Sequence, residues 1–225
     1  MPMDKIKIIE VKESVFAKNE LAADDLRAEL NKKGTLLINV MASPGAGKTT
    51  LLKATIKALK DEMKIAVLEA DIDSDVDAYR IQEAGAESVQ LHTGGMCHLT
   101  AEMTRQGLEG FGDKHYDLIF LENVGNLVCP AEFDTGAQIN VMLLSTPEGD
   151  DKPLKYPLMF QVSKAMVVTK CDVMDLFDFR LDAATKAAKM RNPDIKVMPV
   201  SAKTGEGLDA WFDYLRAEVA RVKKA

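Results

Sequence analysis

The stretch TLLINVMASPGAGKTT (residues 35–50) passes from an apolar strand pattern through a turn of small residues directly into a helical pattern. Residues 42–50 match the Walker A pattern, with Ala42 in place of its first glycine. Small residues let successive backbone N–H groups turn toward phosphate oxygens, while the lysine neutralises the β and γ phosphates and the next hydroxyl binds Mg²⁺. The stretch therefore predicts a site for a nucleoside triphosphate. Its expected contacts are Pro44, Gly45, Ala46, Gly47, Lys48, Thr49 and Thr50.

Apolar runs and helical patterns alternate along the rest of the chain. Strands are predicted at residues 35–42, 64–70, 88–92, 116–122, 139–145, 164–169 and 195–201. Helices are predicted at residues 14–33, 49–61, 77–84, 98–109, 179–191 and 207–223. Strands that are apolar on both faces and separated by helices are typical of a mostly parallel sheet with helices on both faces. We therefore expect the α/β fold of P-loop NTPases, with ligands at the carboxyl ends of the strands.

Charge and composition exclude several classes of protein. The 225 residues carry 29 Lys and Arg against 35 Asp and Glu, a formal net charge of −6. Such a chain lacks the positive surface used in non-specific binding to nucleic acid or anionic membranes, so neither is an expected partner. No apolar run approaches the ~18 residues of a membrane span, and the start MPMDKIKIIEVKE lacks the apolar core of a signal peptide. With three cysteines and no disulfide framework, we expect a cytoplasmic protein.

Two short motifs after predicted strands indicate which base is bound. Thr169-Lys170-Cys171-Asp172 is similar to the Asn-Lys-x-Asp motif of G proteins, with Thr169 in place of the asparagine. The aspartate accepts hydrogen bonds from guanine N1–H and the 2-amino group, which adenine lacks, and polar matching of this kind discriminates by roughly 10⁴-fold. Ser201-Ala202-Lys203 follows the last strand, where the third contact to guanine is expected. Lys170, Asp172 and these three residues predict GTP and GDP as ligands. We expect a single GTPase domain over residues 35–225, preceded by an N-terminal extension and helix at 1–34.

Acidic residues follow two other strands and are candidates for the Mg²⁺ and γ-phosphate site. The second strand leads into four aspartates at alternate positions, Asp71, Asp73, Asp75 and Asp77, and we take Asp71 as the first choice. An acidic loop that caps the next helix is the alternative for any one of them. Glu122-Asn123-Val124-Gly125 follows the fourth strand, where most GTPases have Asp-x-x-Gly. We expect Glu122 to bind a Mg²⁺-bound water and the Gly125 N–H to sense the γ-phosphate, which makes Lys48, Asp71, Glu122 and Gly125 the candidate catalytic residues.

Two thiols and an imidazole form a second candidate site. Cys97-His98 follows the third strand, and Cys129 lies four residues beyond Gly125. Thiolate and imidazole are ligands for Ni²⁺ or Zn²⁺, whereas two small buried cysteines and a histidine at a helix start are the alternative. Pro130 favours an extended backbone at Cys129. Three ligands are too few for a closed four-coordinate site, so we expect a two-fold dimer to share one ion.

The motifs together resemble the HypB family of hydrogenase nickel-incorporation GTPases. The resemblance rests on SPGAGKTT, DIDSDVDAYRI, TGGMCHL, ENVGNLVCPAEFD, TKCD and SAKTGEG, and it covers roughly residues 20–220. It implies a slow, dimeric GTPase of the signal-recognition and MinD-like class. It also implies delivery of nickel to the large subunit of NiFe hydrogenase together with HypA, a small zinc-containing nickel accessory protein. Carried over by motif, the metal ligands are Cys97, His98 and Cys129.

The sequence departs from the family pattern at two points. Many members carry a Cys-rich or His-rich N-terminal segment, whereas the first 35 residues here contain neither residue type, so that nickel-binding function is expected to be missing. Thr100 stands where the family often has an acid, and we expect it only to affect the helix start. The related urease accessory GTPase UreG has Cys-Pro-His at its metal site, whereas Ala131 follows Cys129-Pro130 here.

Two other classes of function remain as alternatives. A P-loop kinase for a small molecule needs an arginine-rich lid, whereas Arg80, Arg105, Arg180 and Arg191 are scattered. A passive metal buffer needs more ligands than three Cys and three His. Since no arginine lies in a recognisable switch motif, only Lys48 and Mg²⁺ are expected to stabilise the negative charge of the transition state. We therefore expect slow hydrolysis.

Overall fold

The computed structural model describes residues 11–71 and 76–224, except for the side chains of residues 11–15, 71 and 76. The strands are β1 Leu36–Ala42, β2 Ile65–Asp71, β3 Glu87–His92, β4 Leu118–Glu122, β5 Ile139–Ser145, β6 Ala165–Thr169 and β7 Lys196–Pro199. The helices are α1 Val11–Lys33, α2 Lys48–Leu59, α3 Val76–Ala84, α4 Ala101–Glu109, α5 Cys129–Glu132, α6 Lys152–Lys155, α7 Pro157–Val162, α8 Leu181–Arg191 and α9 Leu208–Val222.

The seven described strands form one parallel sheet in the order β3-β2-β4-β1-β5-β6-β7. Strand β1 is central and fully buried, and its side chains alternate between two faces. Leu36, Ile38 and Val40 pack in one cluster with α2, α3 and α9, while Leu37 packs in another with α1 and α4. Helices therefore cover both faces of a parallel sheet, which confirms the predicted P-loop NTPase fold.

Helix α1 packs directly on the sheet rather than standing apart from it. Leu26 and Leu30 are buried in the cluster that contains Leu37 and Leu121. At about 25 cal/mol per Å² of apolar surface, two buried leucines stabilise this docking by several kcal/mol before the entropy of ordering is subtracted. The helix ends at Lys33, and Gly34 (φ 65°) turns the chain into β1.

Most predicted elements are present within two residues of their expected ends, but α1 begins three residues early, at Val11, and α4 begins three residues late. Thr100 caps this helix, and its hydroxyl accepts from the Met103 N–H at 3.3 Å, so the helix starts at Ala101 rather than at His98. Thr100 therefore acts at the helix start, as expected. The short helices α5, α6 and α7 were not predicted because each has fewer residues than a periodic pattern needs to be recognised.

The extended backbone predicted for Cys129 is wrong. Cys129 is the first residue of α5, and Pro130 is the second. Proline is tolerated in the first turn of a helix because its missing N–H has no partner there. The Asn126 carboxamide oxygen accepts from the backbone N–H groups of Val128 at 2.7 Å and Cys129 at 3.4 Å, and this cap outweighs the preference of a residue before proline.

Among the described helices, none combines the length and the apolar character needed to cross a membrane.

Candidate nucleotide and metal sites

The phosphate loop connects β1 to α2. Gly47 precedes α2 with φ 99°, and Gly45 has φ 74° with open space where a Cβ would lie. Both conformations favour glycine. The first N–H groups of α2 lack helical partners and so are available to an anion. The loop borders a cleft of about 630 Å³ that also contacts β2, β3 and β4. Six of the seven predicted loop residues line this cleft, and the seventh, Ala46, is buried beneath the loop.

Glu122 lies at the centre of the cleft. Its Oε1 atom accepts from the Thr49 hydroxyl at 3.0 Å and is 3.9 Å from the Lys48 ammonium nitrogen. Its Oε2 atom is buried without a hydrogen-bond partner among the described residues. Burial raises the pKa of Glu122, while Lys48 and Thr49 oppose this shift. The Thr49 hydroxyl oxygen and the unpartnered Oε2 atom of Glu122 are thus two oxygen donors. This donor set fits a Mg²⁺ ion with its water shell.

Glu69 and Gln90 are two further polar residues of this cleft, and neither was predicted from the sequence. Glu69 pairs in register with Glu122 on one side and with Gln90 on the other. Glu69 is 3% exposed, and its Oε1 atom and both polar side-chain atoms of Gln90 are buried without partners among the described residues. Burial first, and the neighbouring Glu122 second, raise the pKa of Glu69 well above its ordinary value. An acid inside the apolar run KIAVLEA was the signal that could have identified it.

The aspartates after β2 are only partly described. Asp71 ends β2 in register with His92, but its side chain lies outside the described residues, as do Asp73 and Asp75. Asp77 lines the cleft and binds Arg80 at 2.9 Å. Arg80 also lines the cleft with its side chain 56% exposed, so one of the arginines that are scattered in the sequence lies at the wall of this cleft.

The two base motifs meet beside the phosphate loop. They line a cavity of about 250 Å³ that includes Lys170, Asp172, Ser201, Ala202 and Lys203. Lys170 has a left-handed backbone (φ 60°) and donates to the Gly45 carbonyl at 2.8 Å. The Thr169 hydroxyl donates to the Ala46 carbonyl at 2.6 Å, so the residue that replaces the usual asparagine ties β6 to the phosphate loop.

Gly125 lies against the phosphate loop. A Cβ atom there would be 3.0 to 3.2 Å from the Cγ, N and Cα atoms of Pro44, tighter than ordinary contacts. The next residue, Asn126, donates from Nδ2 to the Cys129 sulfur at 3.5 Å. Two residues therefore join the phosphate loop to a thiol.

A buried row of asparagines positions this connection. Asn123 donates to the Asn39 carboxamide oxygen at 2.9 Å, and Asn39 donates in turn to Asn140 at 2.9 Å. The Asn123 oxygen accepts from the Val124 N–H at 2.9 Å. Three strands thus hold the backbone between Glu122 and Gly125, and the sequence did not reveal this because the contacts are long-range.

The two predicted thiols are neighbours. A hydrogen bond from the Cys97 side chain, followed by burial, raises the pKa of Cys129. The Cys97 sulfur is 3.9 Å from Nδ1 of His98. Burial lowers the pKa of His98, so its imidazole is neutral and able to act as a ligand at pH 7. Within the described residues of one chain, no three His, Cys, Asp or Glu side chains are grouped closely enough to hold a metal ion.

The remaining thiol and histidines lie elsewhere. Cys171 lies beside the base cavity, and burial raises the pKa of its thiol. His92 is exposed at the end of β3, and His115 is 3.8 Å from Asp117 on the surface.

The chain is similar to proteins of known family. The family model described as the CobW/HypB/UreG nucleotide-binding domain matches residues 36–199. The hydrogenase maturation factor HypB of Rhizobium leguminosarum bv. viciae is 42% identical over 219 residues, which cover 97% of this chain and 73% of that protein. The crystal structure of Helicobacter pylori HypB in complex with nickel is 35% identical and has a TM-score of 0.86, covering 91% of this chain and 96% of that one.

A more distant structure bears on the fold alone. The signal recognition particle receptor FtsY of Elizabethkingia anophelis is 14% identical, with a TM-score of 0.52 over 83% of this chain and 69% of that one. The phosphate loop, the parallel sheet, the matched domain model and the level of identity lead to one assignment: the chain belongs to the CobW/HypB/UreG family and, within it, to the HypB hydrogenase maturation factors.

Proposed function

We propose that this chain is a GTP-hydrolysing metallochaperone, whose nucleotide state controls a nickel ion held by Cys97, His98 and Cys129. The observation that carries the proposal is the short path from Gly125 against Pro44 to Asn126 on the Cys129 sulfur. A γ-phosphate that moves Gly125 must also move the donor that touches the thiol. Zinc, which takes the same ligands, is the second ion to test.

Guanine selection is assigned to Asp172. Asp172 is exposed and lines the 250 Å³ cavity together with Ser201, Ala202 and Lys203. The carboxylate accepts from guanine N1–H and the 2-amino group, and the Lys170 stem packs on the ring. Because Lys170 also donates to the Gly45 carbonyl, base recognition and the phosphate loop share one side chain.

Hydrolysis uses the groups around Glu122. Water attacks the γ-phosphorus, the bond to the β–γ bridging oxygen breaks, and GDP and phosphate leave. Lys48 neutralises charge on the phosphates, the Gly125 N–H binds the γ-phosphate, and Thr49 with Glu122 would hold Mg²⁺ and its water. Asp71, at the end of β2, is the proposed further ligand of this ion. When bound, Mg²⁺ stabilises the negative charge that develops on the transferred phosphoryl group.

The metal is proposed to be shared between two chains. One chain supplies two neighbouring thiols and one imidazole, which is short of a closed four-coordinate site. A two-fold axis beside Cys97 and Cys129 would bring four thiolates and two imidazoles to a single ion. The proposed partners are a HypA-type nickel accessory protein and the large subunit of NiFe hydrogenase, and the similarity to hydrogenase maturation factors supports a role in hydrogenase assembly.

Native mass spectrometry and phosphate release test these assignments together. We expect GTP to yield free phosphate without a phosphorylated product, which distinguishes a GTPase from a kinase. With Ni²⁺ and a non-hydrolysable GTP analogue, we expect a dimer with roughly half an ion per chain. Cys129→Ala should lose the ion, whereas the matched control Cys171→Ala should keep it. A full ion on each monomer in every nucleotide state would refute the shared site and leave the GTPase assignment standing.

A further inference from the structure

Helix α1 reaches beyond the sheet onto the two loops that carry the thiols. One face of the helix presents Phe16, Asn19, Ala23, Leu26 and Leu30, which are spaced three or four residues apart. Leu26 and Leu30, toward its carboxyl end, pack on the sheet. Phe16 and Asn19 lie about two to three turns farther toward the amino end and contact residues that follow His98 and Cys129.

Asn19 bridges these two loops. It is 8% exposed, and its Oδ1 atom accepts from the Ala101 N–H at 2.9 Å. Its Nδ2 atom donates to the Asp134 carbonyl at 2.8 Å. Ala101 is three residues after His98, and Asp134 is five residues after Cys129. A carboxamide carries the donor and the acceptor that this bridge needs, and an apolar side chain here removes the partner of the buried Ala101 N–H and of the Asp134 carbonyl.

A stack of three rings runs beside the bridge. The His98 ring stacks on Phe133 with centroids 3.8 Å apart and planes inclined by 12°. Phe133 stacks on Phe16 of α1 at 4.8 Å and 28°. The plane of the imidazole is therefore fixed by a ring from the Cys129 loop, and that ring is supported by α1.

We propose that α1 is part of the metal site, and that Asn19 is the positioning residue that holds Cys97 and His98 in register with Cys129. The inference rests on the proposed metal function but assigns a task to a helix that carries no metal ligand. Arg27, which binds Asp134 at 2.6 Å and the Ala137 carbonyl at 3.2 Å, secures the same loop from the next turns of α1. By linkage, an ion that joins the two loops must also strengthen the docking of α1.

The control for this proposal is a second contact of the same helix. Glu29 binds Arg105 of α4 at 2.8 Å, on the exposed side of the interface and away from both thiol loops. Glu29→Gln removes the negative charge from an α1 contact without touching Asn19, Phe16 or the loops. Any effect of loosening α1 in general is then separated from the effect of the bridge.

Metal titrations of the full chain test the bridge with Co²⁺ as a spectroscopic probe and Ni²⁺ as the cargo. Asn19→Leu is expected to weaken Ni²⁺ binding by about tenfold or more and to alter the Co²⁺–thiolate charge-transfer bands. Glu29→Gln is expected to leave the affinity and the bands as in the wild type. Wild-type affinity and bands in Asn19→Leu would overturn the proposal while leaving the metal function intact.

Hydrogen exchange of the amides gives a readout that needs no variant. Binding of Ni²⁺ to the wild type is expected to slow exchange over residues 16–23 and at Ala101, and unchanged exchange there would overturn the proposal even if Asn19→Leu does not fold. If the wild type binds no metal, the proposed function fails separately. The Asn19 bridge is then tested by amide hydrogen exchange of the metal-free protein. Asn19→Leu must speed exchange at Ala101, and Glu29→Gln must not.

Discussion

At the residue scale, Asp172 is the group that we propose selects the base. It is exposed at the edge of the base cavity, so changing its carboxylate to a carboxamide has little effect on folding. Asp172→Asn is expected to weaken GTP binding and to favour xanthosine triphosphate, because the amide donates where the carboxylate accepted. Competition binding with the two nucleotides measures this change. Asp175→Asn, in the same turn but outside the cavity lining, is the control, and normal GTP affinity in Asp172→Asn would exclude this role.

Lys48 is the residue that we propose neutralises charge on the phosphates. Its ammonium nitrogen is 3.9 Å from Glu122, whereas the exposed Arg80 is bound to Asp77. Intrinsic turnover is therefore expected to be slow, on the order of 10⁻⁴ to 10⁻² s⁻¹ as in other GTPases that lack an arginine finger. Lys48→Ala should abolish it in a phosphate-release assay. A wild-type rate above about 1 s⁻¹ without partners would contradict this account.

At the scale of elements, one buried hydrogen bond joins α9 to α2. The Trp211 indole N–H donates to the Thr55 hydroxyl at 2.9 Å, and both side chains are fully buried. Thr55→Val leaves the indole N–H without a partner, and we expect it to lower the free energy of unfolding by about 1–3 kcal/mol. Denaturant unfolding followed by the fluorescence of the single tryptophan measures this change. Thr55→Ser keeps the hydroxyl and should recover most of the loss, so equal effects of the two variants would refute the assignment.

Strands β2 and β4 place Glu69 beside Glu122, and this pairing has a consequence for pH dependence. Both pKa values are raised in the folded chain from an ordinary 4.5. Above pH 4.5 the folded state therefore binds more protons than the unfolded state, and the free energy of unfolding of the nucleotide-free protein falls as pH rises. The slope is at most about 1.4 kcal/mol per pH unit for each proton.

Denaturant unfolding of variants from about pH 6 to 9 tests this pair. Glu69→Gln removes one titrating group and is expected to flatten the decline. Glu62→Gln is the control, because Arg216 lowers the pKa of the exposed Glu62 and its titration lies below this range. A decline that is equally steep in wild type and Glu69→Gln would show that other groups cause it.

The strands and helices also show which features could be predicted from the sequence and which could not. Strands such as LLINVMA are apolar on both faces, so the parallel sheet followed from local pattern alone. The position of Glu69 beside Glu122 depends on the register between strands that are distant in the chain, and no local pattern carries that information. At Cys129 two local preferences competed, and the Asn126 cap outweighed Pro130. Asn19 was missed because its partners are more than eighty residues away.

At the scale of the whole molecule, the nucleotide cleft and the thiols are joined by one connection. Gly125 lies against Pro44 of the phosphate loop, and Asn126 touches the Cys129 sulfur. The start of this connection is held by Asn123, directly after β4, together with Asn39 of β1 and Asn140 of β5. Coupling of two sites through such a path is reciprocal. Nucleotide can change metal affinity only as far as metal changes nucleotide affinity, typically by about 1–3 kcal/mol.

The most direct test of this account is the Ni²⁺ affinity of the wild type and of Asn126→Ala, each measured with GDP and with a non-hydrolysable GTP analogue. Asn126 is not a proposed metal ligand. It directly follows Gly125 in the chain, and its side chain donates to the Cys129 sulfur. The wild type is expected to show affinities that differ between the two nucleotides by about 5- to 150-fold. Asn126→Ala is expected to bind Ni²⁺ with the same affinity in both nucleotide states. A wild type whose Ni²⁺ affinity is indifferent to nucleotide, or a variant that keeps the full difference, would contradict the account.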